Sequence, residues 1–196
     1  MNGSEVLRFY GLPDFNDILD SAFRERFGLN QAGQYGVACR DTRAKLREAE
    51  KHGAGPFLPS RIPAPNWIEH GERRRCSLDI ALGYVGDVQL EFLGPGKGTR
   101  FYSDALQGSE HVLHHVGIFQ NNSIELEQKL NGAGFNTVVE GGVSLGGHFG
   151  FRFKYIDTRN AIGCYLELLD FYLFNRSISI EHPVKMLAGL RKRITG

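Results

Sequence analysis

The chain is poor in the features that mark several protein classes. Its 196 residues contain three cysteines, Cys39, Cys76 and Cys164, which lie far apart and form no C-x-x-C pair. That argues against a disulfide framework and leaves no thiol pair for zinc or redox work; three reduced thiols fit a cytoplasmic protein. No uninterrupted apolar run approaches membrane-spanning length, and the opening MNGSEVLRFYGLPDF lacks the basic and apolar regions of a secretory signal. A soluble chain with no membrane partner is therefore expected. Charge of one sign is missing too, with 23 Lys+Arg against 22 Asp+Glu and a net +1. Such a chain has no global field to hold a polyanion, which disfavours nucleic acid as a partner.

Glycine, by contrast, is abundant, at 25 residues. Some of it recurs at a fixed offset, as the turns of a duplicated fold do. GQYGVACRD (33–41) is an alternating apolar run followed by the helical stretch TRAKLREAEKH, which stops at Gly53-Ala54-Gly55. HHVGIFQNN (114–122) is followed by SIELEQKLN, which stops at Gly132-Ala133-Gly134. The glycine stops are 79 residues apart and the strand starts, Gln34 and His115, are 81 apart. Asp41 and Asn122 have the form of helix N-caps. Extended segments at 77–84 and 87–93 close the first unit, and 151–157 and 163–169 close the second. The order is β-α-β-β-β, twice.

Two segments flank the repeat. Phe15, Ile18, Leu19, Ala22, Phe23 and Phe27 follow helical spacing and predict one amphipathic packing helix between Asp14 and Gly28. Past His182-Pro183, VKMLAGLRKRI reads as a basic amphipathic tail whose cations complement a helix dipole. The expected organisation is an N-terminal helical extension (1–30), a first βαβββ module (31–98), a second (99–172) and the basic tail (173–196).

Each unit's last strand carries a carboxylate between apolar neighbours, Glu91 in VQLEFLGP and Glu167 in CYLELLD. An ionised carboxylate on a buried strand costs several kcal/mol unless it is paired or bound to a metal. The opening strands offer partners at matching positions, Gln34 and His115, each followed two places on by a glycine, Gly36 or Gly117. Packed pseudo-symmetrically, these four converge as an amide oxygen, two carboxylates and an imidazole. That set suits a divalent cation such as Zn, Ni, Co, Mn or Mg.

From Gln34 to Asp170 the chain resembles the vicinal oxygen chelate superfamily, which contains glyoxalase I, methylmalonyl-CoA epimerase, extradiol dioxygenases and bleomycin-resistance proteins. The resemblance rests on QYGVACRD with GAGPF, on VQLEFLGP, on FYSDAL followed by VLHHVGIF, and on KYIDTRNAIGCYLELL. It implies an α+β fold in which paired βαβββ modules form a cupped, mostly antiparallel sheet around a metal. By position the ligands are Gln34, Glu91, His115 and Glu167; Gln34 stands where histidine is often found. One histidine among four departs from the two-histidine, one-carboxylate set of iron dioxygenases. The retained ligands favour the glyoxalase and epimerase branch. That branch implies a lyase or isomerase in which a carboxylate, Glu167 first and Glu91 second, moves a proton beside a carbonyl. The alternative is a non-catalytic binder of a hydrophobic or antibiotic-like molecule in the same cup.

Other residues carry weaker signals. Trp67, Tyr84, His148, Arg152 and Tyr155 are candidate substrate contacts, although an aromatic on a strand most often packs in a core. His114 is placed on the sheet face opposite His115 by strand alternation, and is taken as structural. GPGKGT (94–99) lacks the P-loop glycine and reads as the loop between modules. GERRRC (71–76) reads as a solvated loop or an anion grip, and PFLPSRIPAPNW (56–67) as an extended pocket wall. The partner expected is a small molecule, and a homodimer through the helical ends is compatible.

Overall fold

Asp41, two residues past the first strand, begins the first module's helix: its side chain accepts from the Ala44 backbone N–H at 3.0 Å. Such local signals set the element boundaries of the computed structural model, which describes residues 7–29, 32–86, 88–119, 123–145, 148–174 and 176–178. The elements are α1 (Phe15–Ile18), α2 (Ser21–Phe27), β1 (Gln34–Cys39), α3 (Thr42–Lys51), β2 (Leu58–Glu69), β3 (Glu72–Val85) and β4 (Val88–Lys97). They continue with α4 (Phe101–Ala105), β5 (His111–Phe119), α5 (Ser123–Gly132), β6 (Thr137–Leu145), β7 (Phe149–Ile156), α6 (Arg159–Ile162), β8 (Tyr165–Leu173) and β9 (Arg176–Ile178).

The fold is α+β, with two βαβββ modules in one curved, mostly antiparallel sheet. The strand order is β5-β1-β4-β3-β2-β6-β7-β8-β9, and β5 also pairs with β8, so the first eight strands close on themselves. In each module the opening strand runs parallel to the closing one, β1 beside β4 and β5 beside β8. The modules meet through β1 and β5, where Gln34 lies opposite Gly117 and Gly36 opposite His115. Each pair maps onto the other when the modules are exchanged, so the local axis is a pseudo-dyad. On its far side the ring closes, among the described residues, through the pairs Ile68–Glu140 and Glu69–Val139 and a bond from the His70 N–H to the Val138 carbonyl.

Two apolar layers use the two faces of this sheet. Leu19, just past α1, and Phe27, Leu126 and Leu130 from the helices pack on Tyr35, Val37, Val116, Ile118, Leu166 and Leu168. The interior is filled by Trp67, Leu78, Ile80, Leu93, Tyr102, Phe153 and Tyr155. Burial of such side chains contributes roughly 1.5–3 kcal/mol each before chain entropy is subtracted.

Several sequence expectations change. The helix expected across 14–28 is two helices, because Asp20 caps a new one by accepting from the Phe23 N–H at 2.7 Å while Leu19 leaves helical geometry. The stretch 56–67, expected to be extended, is strand from Leu58 onward. Pro59, Pro63 and Pro65 are tolerated there because β2 pairs with β6 only at Ile68 and Glu69, which leaves one edge free where the prolines fall. The three arginines of 71–76 lie on β3 rather than in a loop, and β4 runs on to Lys97 before the linker becomes α4. Asn122 and the basic tail from 179 onward lie outside the described residues. Among the described residues, no helix is long and apolar enough to cross a membrane.

Candidate metal centre

Glu91 and Glu167 sit on β4 and β8 between residues that alternate to the opposite sheet face, so the geometry that buries Leu90, Phe92, Leu166 and Leu168 under the helices turns both carboxylates inward. The parallel pairings place Gly36 beside Glu91 and Gly117 beside Glu167. The neighbouring strand then brings in the other two groups. His115 Nε2 lies 3.1 Å from Glu167 Oε2 and 3.4 Å from Glu91 Oε2. Gln34 Nε2 donates to Glu91 Oε2 at 3.3 Å. Gln34, Glu91, His115 and Glu167 are all buried.

The glycines make this approach feasible. A Cβ at Gly36 would fall 1.9 Å from His115 Cε1, and one at Gly117 would fall 2.4 Å from Gln34 Oε1. Each module's glycine therefore leaves room for the other module's polar side chain.

The cluster fits a cation by two criteria. One ligand atom from each of Glu91, His115 and Glu167 can be chosen so that all lie within 4.8 Å of one another. Around a six-coordinate ion with bonds near 2.1 Å, neighbouring ligand atoms sit about 3 Å apart, close to the histidine–carboxylate spacings here. Second, Gln34 Oε1 is buried with no hydrogen-bond partner among the described residues, and the single atom His115 Nε2 is shared between Glu167 Oε2 and Glu91 Oε2. A buried polar atom without a partner is costly, and an unpaired amide oxygen beside two carboxylates that share one imidazole nitrogen suits a common cationic partner. The electrostatics agree. Burial pushes the His115 imidazolium down, but Glu167 and Glu91 outweigh it and lift the group to about 9. Burial pushes the Glu91 carboxyl up, opposed by its hydrogen bond to His115 and reinforced by Glu167. A divalent cation would neutralise the two carboxylates and leave the imidazole neutral.

No family model matches the chain, and no curated protein matches its sequence. Solved structures do resemble it. Methylmalonyl-CoA epimerase from Mycobacterium tuberculosis is 16% identical with a TM-score of 0.49, over 70% of this chain and 85% of that one. A variant of Streptomyces coelicolor methylmalonyl-CoA epimerase in complex with 2-nitronate-propionyl-CoA is 15% identical with a TM-score of 0.46, over 72% of this chain and 94% of that one. A variant of 4-hydroxymandelate synthase from Streptomyces coelicolor is 12% identical with a TM-score of 0.46, over 84% of this chain and 54% of that one.

The weaker candidates separate. Tyr155, opposite Glu167 on β7, has its ring centroid 5.1 Å from that of His115. Its hydroxyl lies 3.1 Å from that of Tyr102, a residue of α4 that the sequence did not single out. Burial, aided by the carboxylates, pushes both phenols well above the ordinary range. Trp67 belongs to the same aromatic interior, but its Nε1 donates to Glu69. Tyr84 accepts from Gln89 Nε2 at 3.3 Å, one inward position from Glu91 along the strand. The structure does not bring Arg152 or His148 to the cluster. Arg152 alternates outward and covers the Tyr172 ring at 4.8 Å, and exposed His148 packs on Phe174.

His114 is the main departure. Gly36 pairs with His115 and Val37 with Leu113, so His114 has no opposite residue and forms a β-bulge. The bulge re-aims its side chain. The ring lies among Phe101, Tyr102, Tyr155 and Tyr165, with Nδ1 3.2 Å from His115 Nδ1. Strand alternation assigns it to the other face, and the bulge overturns that placement.

Proposed function

We propose that this protein is a divalent-metal-dependent isomerase or lyase of the vicinal oxygen chelate superfamily. In this reading it chelates a small oxygenated substrate and moves a proton through that substrate's enolate or enediolate. The observation that carries the reading is the buried Glu91–His115–Glu167 group with the unpartnered Gln34 Oε1 beside it.

Gln34, Glu91, His115 and Glu167 are the residues that would hold the ion, and the mixed O/N set suits Zn, Ni, Co, Mn or Mg. When bound, such an ion supplies Lewis acidity to the substrate's oxygens. Glu167 is the first candidate for the base: its Oε2 contacts His115 Nε2 at 3.1 Å, whereas Glu91 Oε2, 3.4 Å from the same nitrogen, also accepts from Gln34 Nε2 at 3.3 Å. The two carboxylates come from equivalent strands, an arrangement suited to taking a proton from one face of a substrate and returning it at the other. The aromatic interior keeps water from the developing charge.

The test is metal analysis of protein purified without chelators, joined to a screen for deuterium exchange into 2-oxo acids and thioesters. We expect a stoichiometric divalent metal, and exchange that is lost in Glu167→Gln. Protein that neither retains nor takes up a divalent ion would sink the enzymatic reading and favour the non-catalytic binder.

A further inference from the structure

Exchanging the two modules sets Ala38, the partner of Leu93, against Phe119, the partner of Leu169. It likewise sets Leu78 against Phe151, each four residues before the strand partner of a cluster carboxylate. The two ends of the barrel interior related in this way are not alike. At the end built on Ala38 and Leu78, both residues are buried in one cluster with Trp67 and with Tyr102 of α4, the helix that follows β4. At the end built on Phe119 and Phe151, both rings are only half-buried, as are Phe149 and Phe171 beside them.

These four rings share the inner sheet face with Glu167 and adjoin one another. The Phe171 centroid lies 6.1, 6.4 and 5.9 Å from those of Phe119, Phe149 and Phe151. An inner-face side chain of a closed sheet meets solvent through the mouth or through a gap between strands, so partial exposure of all four marks an open chamber. The sheet also parts towards this end, where β2 and β6 run on from the Ile68–Glu140 pair without further pairing among the described residues.

We propose that the substrate of the metal centre is an enolisable carbonyl compound carrying an uncharged aryl group, which is seated against Phe119, Phe151 and Phe171. The proposal rests on the metal reading for the position of the reacting carbon. Gly117 lies opposite Glu167 and Phe119 opposite Leu169, so the rings begin two residues beyond the carboxylate and reach four residues beyond it at Phe171. At about 3.3 Å per residue this spans roughly 7 to 13 Å, which places the aryl group a few bonds from the reacting carbon. No lysine or arginine occupies an inner-face position of β7 or β8, because Arg152 and Lys154 alternate outward. Partly exposed ring faces gain edge and face contacts with an arene beyond the area they bury. The α4 end, already filled, offers no such surface. One orientation follows, with the oxygens at the ion and the ring towards β7 and β8.

The test uses hydroxamates, which chelate a metal through two vicinal oxygens, on cobalt-loaded full-length protein: acetohydroxamate, phenylacetohydroxamate and cyclohexylacetohydroxamate. Affinities are read from the visible absorption of the ion. Phenylacetohydroxamate is expected to bind about thirtyfold tighter than acetohydroxamate, and tighter than the cyclohexyl compound. Phe119→Leu and Phe151→Leu should each cut that phenyl advantage by about threefold or more, with thermal melting as the check on folding. A wild-type phenyl advantage below about threefold, tighter binding of the cyclohexyl compound, or an undiminished advantage in a folded variant would overturn the proposal. Phenylacetamide, which lacks the chelating group, is titrated separately into chelator-treated protein, where NOEs from its ring to Phe119 and Phe151 are expected. Cobalt and acetohydroxamate binding without an aryl advantage removes the aryl seat and leaves the metal centre standing. Protein that takes up no cobalt overturns the substrate assignment together with the metal reading, even where the NOEs show an arene among the rings.

Discussion

Gly36 lies directly against the His115 imidazole, so closely that a Cβ at this position would stand 1.9 Å from Cε1. The two residues are also direct neighbours across β1 and β5, and the ring has little backbone freedom to retreat. Gly36→Ala should therefore displace the imidazole from Glu91 and Glu167. We expect a loss of about 1–3 kcal/mol in urea unfolding, with weakened cobalt binding read from its visible absorption. Wild-type cobalt affinity in the alanine variant would mean that His115 is not a ligand.

The metal-free protein should lose stability as pH rises. The folded state holds the His115 proton up to about 9 against an ordinary value of 6.5. That stabilisation is complete below 6.5 and is lost as pH climbs through 9. Glu91, whose carboxyl is also pushed up, acts in the same direction at lower pH. The melting temperature of chelator-treated protein is expected to fall across this window, and less so in Glu167→Gln. A flat profile would show that the imidazole and carboxylates are not together in solution.

Tyr102 and Tyr155 form a buried hydroxyl pair at 3.1 Å, so removing one oxygen strands the other. Tyr102→Phe should cost about 1–3 kcal/mol, and the double variant with Tyr155→Phe should recover part of that loss. Denaturant melts of the four proteins in the cycle give the coupling directly. An additive cycle would contradict the pairing.

Gln34 offers the centre a neutral oxygen, and Gln34→His would replace it with a nitrogen. Because imidazole suits Zn, Co and Ni better than Mg, the variant should shift competition towards those ions. Metal competition monitored by mass spectrometry checks this. An unchanged preference would remove Gln34 from the ligand set.

Much of the centre is legible in the sequence because duplication makes position informative. Gln34 and His115 are found by the spacing of the two opening strands, and Gly36 and Gly117 confirm the match from the other side of the same pairings. Glu91 and Glu167 stand out as carboxylates among residues of strand-like apolarity. What escapes depends on register. The bulge at His114 exists only where Gly36–His115 and Val37–Leu113 pairings adjoin, and no local residue pattern announces it. The prolines of β2 conceal a strand because their tolerance depends on a missing neighbour, which is a property of the closed sheet. Likewise, Asp20 breaks an otherwise continuous helical stripe by a capping bond that apolar spacing does not register.

The pairing of β1 with β5 has a mechanical consequence. Gln34 and Glu91 belong to one half of the barrel and His115 and Glu167 to the other, so an ion held by all four would act as a rivet through the seam. Peeling the halves apart would require the ion to leave, and each ion captured would hold the seam shut by the free energy of its binding. Retention of the ion and integrity of the barrel would then be a single equilibrium observed from two ends.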